Sequence, residues 1–146
     1  MSRDPSPATN DPRSPGRRPW RLVYGDGRDG LVASMAIPPL DGPTNMAVDV
    51  ALLESVKAGG APVLRLYRWD PACLSFGLNQ QTRGRYDRRA AAERGIDLVR
   101  RPTGGQAVLH DDELTYAVIA PVSVIGKPRA AYGLINRALV DGLGRL

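Results

Sequence analysis

Residues 100–118, RRPTGGQAVLHDDELTYAV, hold two adjacent arginines, a Pro-Thr-Gly-Gly turn, the only histidine of the chain and three consecutive acids. Pro102 restricts the backbone while Gly104 and Gly105 permit positive φ, so the chain turns there. Such a turn leaves N–H groups without ladder partners, and bared amides beside the Arg100 and Arg101 guanidiniums suit carboxylate or phosphate oxygens. The residue types therefore point to an anion-binding loop, although a Gly-Gly pair between strands is also the composition of a plain turn. The stretch is not a dinucleotide fingerprint, which needs GxGxxG opening a helix, nor a P-loop, which needs a Lys after its last Gly. His110 could shuttle a proton near neutral pH or orient the loop by hydrogen bonding.

Cys73 is the only cysteine, so no disulfide forms within the chain and no cysteine cluster can hold a metal. It sits inside an apolar strand pattern, where a cysteine behaves as a small hydrophobe, and it reads as structural.

These groups need elements to position them. Asp97–Val99 reads as a strand leading into the loop, and 106–109 and 114–119 read as paired strands with His110 and the acids at their connection. Upstream, Trp20 to Tyr24 reads as the first strand, followed over 25–43 by Gly and Pro around the apolar run 31–37, an extra hairpin. A helix capped by Thr44 or Asn45 runs to about Lys57 and closes at Gly59 and Gly60, with Met46, Val50, Leu53 and Val56 packing and Asp49 as a polar exception. Strands follow at Val63–Trp69 and Cys73–Phe76, separated by an Asp70-Pro71 turn, and then a loop over 77–80. Tyr86 to Arg94 reads as an exposed helix ending at Gly95. After a linker containing Gly126 and Pro128, a helix from about Arg129 places Tyr132, Ile135, Leu139, Leu143 and Leu146 on one face. That apolar face at the end of the chain implies partner surface outside this sequence.

The 146 residues, 42% hydrophobic, allow one modest domain with a core. Residues 1–19 carry five prolines and four arginines with no large apolar residue beyond Met1, and are expected to be disordered. They lack the apolar core of a secretory signal, two acids and five prolines oppose a transit helix, and no run is long enough to span a membrane; the expectation is cytoplasmic. Of the net charge of +5, this segment supplies +2, from four Arg less two Asp. The basic residues read as spread along the chain, which disfavours nucleic acid and fits an acidic carrier domain as partner.

The central stretch resembles the signature of the biotin and lipoate protein ligase superfamily, and most of all octanoyltransferases and lipoate-protein ligases. Two further stretches agree in order and spacing, NMAVDVALLESV at 45–56 and LRLYRWDPACLSFGLNQ at 64–80. The resemblance covers about residues 44–146 and is to the N-terminal half of the family's catalytic domain, after the tail 1–19 and the first strand and insert at 20–43. It implies an α/β fold with a mixed sheet and helices on one side, like class II aminoacyl-tRNA synthetases and biotin synthetases, incomplete at the C-terminus. By the same resemblance Trp69, Ser75 and Gly77 wall an acyl pocket. Thr103, Gly104, Gly105, Gln106, Ala107, Val108, Leu109 and His110 line the acyl slot, and Arg101 favours an anionic group such as an acyl phosphate. Val50 stands where the family usually has Glu.

The implied activity is octanoyl or lipoyl transfer to a lysine of a lipoyl domain or glycine cleavage H protein, with acyl carrier protein as donor and no covalently bound cofactor or metal. The family's acyl-carrying cysteine and acyl-contacting lysine fall beyond residue 146, so the chain is expected to be inactive alone, whether it is a fragment, a decayed gene or one half of a split enzyme with its C-terminal half on another polypeptide. An ATP-dependent lipoate-protein ligase and a non-catalytic acyl-binding half-domain are the alternatives.

Overall fold

The computed structural model describes residues 19–24, 28–29 and 37–145. The expected disorder of the N-terminal tail, nearly all of the apolar run 31–37, and Leu146 lie outside them.

Among the described residues eight strands form two sheets. In the larger, β4 (Val63–Trp69) is central: it runs parallel to β1 (Arg21–Tyr24) and, at its far end, to β3 (Pro39–Leu40), and antiparallel to β8 (Thr115–Ile119) on its other side. The two-residue β2 (Arg28–Asp29) pairs antiparallel with β1. In the smaller sheet β5 (Cys73–Phe76) lies between β6 (Asp97–Arg100), parallel, and β7 (Val108–His110), antiparallel. The expected pairing of the 106–109 and 114–119 strands does not occur. β7 bonds to β5 and β8 to β4, so residues 111–114 cross between the sheets instead of closing a hairpin.

Helix α1 (Gly42–Lys57) begins earlier than expected. Asp41 is its cap, accepting a hydrogen bond from the Thr44 N–H at 2.7 Å, and Pro43 is tolerated because the first turn needs no N–H from it. Asn45 is no cap; its amide lies inside, donating to the Leu40 and Arg68 carbonyls at 3.1 and 2.9 Å. The buried stripe is Gly42, Asn45, Met46, Asp49, Leu52 and Val56, and the expected core residue Val50 is 45% exposed. Met46 joins Tyr67, Trp69, Cys73 and Val99 in one core cluster, while Leu52 and Val56 join Val23 and Val63 in a second. The first spans both sheets, so α1 ties them together.

Helix α2 (Arg88–Glu93) buries no residue, as its composition requires, and is capped by Asp87. The expected linker after β8 contains a short helix, α3 (Val122–Ile125), followed by α4 (Pro128–Leu143). Here α4 lies on the face of the large sheet opposite α1, not on the same side. β4 is apolar on both faces, with Val63 and Tyr67 toward α1 and Leu64 toward α4, so both need covering. The face α4 turns to the sheet carries Leu134, Ile135, Ala138 and Leu139; Tyr132 and Leu143, expected there, are 71% and 68% exposed. No helix among the described residues is long and apolar enough to cross a membrane.

Candidate functional site

A cavity of about 550 Å³ opens between α1, the two sheets and the central loop. Its apolar walls come from Met46, Leu53, Tyr67, Trp69, Val108 and the β8 residues Ala117 to Ile119, and its polar groups from Asp49, Ser75, Arg101, Thr103, His110 and Thr115. Trp69, Ser75, Arg101, Thr103, Val108 and His110 are thus brought together as expected. Gly77, Gly104, Gly105, Gln106, Ala107 and Leu109 are not on the cavity wall.

Gly77 acts behind the wall. A side chain there would collide with the Gly105 carbonyl, so only glycine lets the loop lie against β5, where the Leu78 N–H donates to the Thr103 carbonyl at 2.8 Å. Gly105 has φ +99° and makes the turn, whereas Gly104 does not need the left-handed region. Gln106 faces outward near Gln80, and Leu109, with 57% exposure, points away from the cavity.

The two guanidiniums do not stand ready for an anion. Arg100 donates from one nitrogen to the carbonyls of Gly77, Leu78 and Gln80 at 2.6, 3.1 and 3.0 Å. Arg101 donates to the Ser75 carbonyl and hydroxyl at 3.0 and 3.1 Å, and to the Gly104 and Gln106 carbonyls at 2.8 and 2.7 Å. Carbonyls of the 77–80 segment engage Arg100, and those of β5 and of the loop itself engage Arg101, and local spacing could not reveal this. The N–H groups of Gly104 and Gly105 have no acceptor among the described residues, so the loop keeps donors free even though its arginines are engaged.

His110 orients the site. Its ring stacks on Trp69 with centroids 4.2 Å apart and planes 12° from parallel. Nδ1 lies 2.6 Å from Glu113 Oε1 and Nε2 lies 2.8 Å from Ser75 Oγ. An ionised Glu113 requires Nδ1 to carry the proton, leaving Nε2 to accept from the Ser75 hydroxyl. Burial pushes the Glu113 carboxyl up, but the hydrogen bonds from Thr115 and His110 outweigh it and hold it below the usual range. Trp69 Nε1 donates to Thr115 Oγ1 at 2.8 Å, and Thr115 donates to Glu113 at 2.6 Å. Ser75 is wholly buried beneath Arg101, so the Ser75, His110 and Glu113 line holds the loop and does not present a nucleophile.

Asp49 and Tyr67 lead from the cavity into a polar core that composition did not disclose beyond marking Asp49 as an exception. Arg65, fully buried, donates to Asp49 Oδ1 at 2.6 Å and to the Asn45 amide oxygen and carbonyl at 2.7 and 3.0 Å, with its guanidinium 4.0 Å from the centre of the Tyr67 ring. A guanidinium is tolerated in a core only with such partners. Burial raises the Asp49 pKa against the pull of Arg65. The network stands without the Glu that Val50 replaces.

Cys73 is buried, its thiol pushed up to about 12, first by burial and then by Asp97 and Asp41, and it does not line the cavity. No group of three His, Cys, Asp or Glu side chains among the described residues could hold a metal ion.

The sequence model of the lipoyl protein ligase A/B catalytic domain matches residues 41–146. The octanoyltransferase LipM of Moorella thermoacetica is 47% identical over 107 residues, covering 70% of this chain and 39% of that protein. A crystal structure of lipoate-protein ligase A bound with ATP aligns with a TM-score of 0.50 and 33% identity, over 67% of this chain and 35% of that one. The proposed lipoate protein ligase of T. acidophilum with bound lipoic acid aligns with a TM-score of 0.50 and 29% identity, over 70% and 37%. The chain therefore spans well under half the length of the relatives it matches.

Proposed function

For this chain, which belongs to the lipoyl protein ligase A/B catalytic domain family, we propose that the cavity holds an octanoyl or lipoyl chain during acyl transfer to a lysine of a lipoyl domain or H protein. The observation that carries this is the cavity itself, with apolar walls from Met46, Leu53, Trp69 and Val108 beside Arg101, Pro102 and Thr103 of the central loop. An acyl chain lies along the walls, with its polar end toward Thr103 and Arg101, the residues of the central loop that line the cavity. Arg101 and His110 position that loop. Octanoyl transfer takes precedence over ligation because the octanoyltransferase relative is the more similar in sequence. Acyl carrier protein is the donor, and the cytoplasm the compartment.

Cys73 is not the acyl carrier in this reading, since its thiol is buried in the core and does not line the cavity. The acyl-carrying cysteine and the lysine that meets the acyl group are supplied by the part of the family domain that these 146 residues do not span. ATP-dependent ligation is the second reading, favoured by the solved neighbours holding ATP and lipoic acid.

Intact mass of an apo lipoyl domain decides between them. Incubation with octanoyl-acyl carrier protein should add one octanoyl group when this chain is combined with the polypeptide encoded immediately downstream, and nothing with this chain alone. A gain that requires ATP and free acid selects the ligase. Absence of any gain under all conditions rejects both in favour of a non-catalytic acyl-binding half-domain.

A further inference from the structure

The basic charge is not spread evenly, as the linear reading had it. Residues 83–101 carry seven arginines against three acids, whereas 102–126 carry three acids and no Lys or Arg. Within the basic segment four arginines are engaged: Arg100 and Arg101 hold the loop, Arg94 donates to its own helix at the Ala90 carbonyl, and Arg89 pairs with Glu93. Arg83, Arg85 and Arg88 are left. All three are exposed, they fall within six residues, and none pairs with an acid among the described residues.

Their segment is anchored. The Tyr86 ring packs on Phe76 with centroids 4.8 Å apart, and its hydroxyl accepts from Gln80 Nε2 at 2.9 Å. Arg100 holds the Gln80 carbonyl, and the Gln80 side chain approaches Gln106 at 3.5 Å. The 83–88 segment, net +2 from three arginines less the Asp87 that caps α2, is thus held beside the loop whose residues 101–103 border the cavity. A net positive, exposed segment at this place steers an anionic partner to the site.

We infer that Arg83, Arg85 and Arg88 form the docking surface for the acidic face of the acyl carrier protein that brings the acyl group to the cavity. The inference rests on the proposed function, and adds to it where the donor binds. An acyl group borne on a phosphate-bearing arm can reach the cavity from a surface set to one side, and both that phosphate and surface carboxylates match guanidinium forks. An acceptor lysine has no such arm and must enter the mouth itself. A nucleic acid is the poorer fit, because the aromatic ring of the segment is turned inward onto Phe76 and offers no face for a base.

The test is titration of the full chain with octanoylated acyl carrier protein, in low and in high salt, alongside the R83E/R85E/R88E variant. Affinity for the carrier should fall about tenfold or more on charge reversal, and fall with salt in the wild type. The R83K/R85K/R88K variant should retain most of it. The change in tryptophan fluorescence on adding lipoic acid should be the same in all three proteins, which also reports that the variants fold. Undiminished carrier affinity after charge reversal overturns the inference, as does tighter wild-type binding of a lipoyl domain or a duplex oligonucleotide than of the carrier. Charge-dependent carrier binding in a wild type that gives no lipoic acid response would uphold the surface and reject the cavity reading.

Discussion

Glu113 accepts two short hydrogen bonds on one oxygen, from Thr115 and from the His110 ring, both at 2.6 Å. Because its folded pKa is depressed, it contributes stability that is complete above the unfolded value, near 4.5, and is lost as pH falls through the folded value. Glu113→Gln should therefore flatten the acid limb of stability against pH while leaving the neutral limb nearly parallel. Thermal unfolding between about pH 3 and pH 7 measures this, and superimposable profiles would reject the assignment. Little of the arrangement was legible beforehand. His110 and Glu113 are three residues apart and could be suspected, but Ser75 and Trp69 come from strands of different sheets, and no spacing rule connects them to His110.

At the scale of elements, strands Val63–Trp69 and Cys73–Phe76 could be read to the residue, since alternation and the Asp-Pro break are local signals. Helix α1 could be recognised but not phased. Two of the residues on its buried stripe, Asn45 and Asp49, are polar, and they are inside because Arg65 of β4 is inside with them. An apolar-periodicity rule therefore chose Val50. Val50→Glu should change stability by no more than about 0.5 kcal/mol, and Leu52→Ala should cost roughly 2–4 kcal/mol. Urea denaturation of both variants checks the phase, and the reverse order of effects would show it to be wrong.

For the molecule as a whole, the decisive contact is where α1 meets the small sheet. A Cβ on Gly42 would lie 2.7 Å from Cys73 Sγ and 2.9 Å from Val99 Cγ1, and the Gly42 N–H donates to Asp97 Oδ2 at 2.9 Å. Gly42→Ala should push α1 away from the small sheet at a cost of about 1–3 kcal/mol. Labelling of Cys73 by a thiol reagent, slow while the thiol is buried, should accelerate in the same variant; unchanged stability and labelling would show that the junction is not tight. By itself the sequence determined the family, most strand positions and the place of the turning loop, because motifs, alternation and glycine or proline punctuation act within a few residues. Only the tertiary structure decided which strands pair, that α4 lies over the face opposite α1, and that Arg100 donates to the carbonyls of residues 77, 78 and 80 while Arg101 donates to those of Ser75, Gly104 and Gln106. Each of these depends on groups distant in the chain, which meet only when the backbone hydrogen bonds and the buried guanidinium are satisfied together.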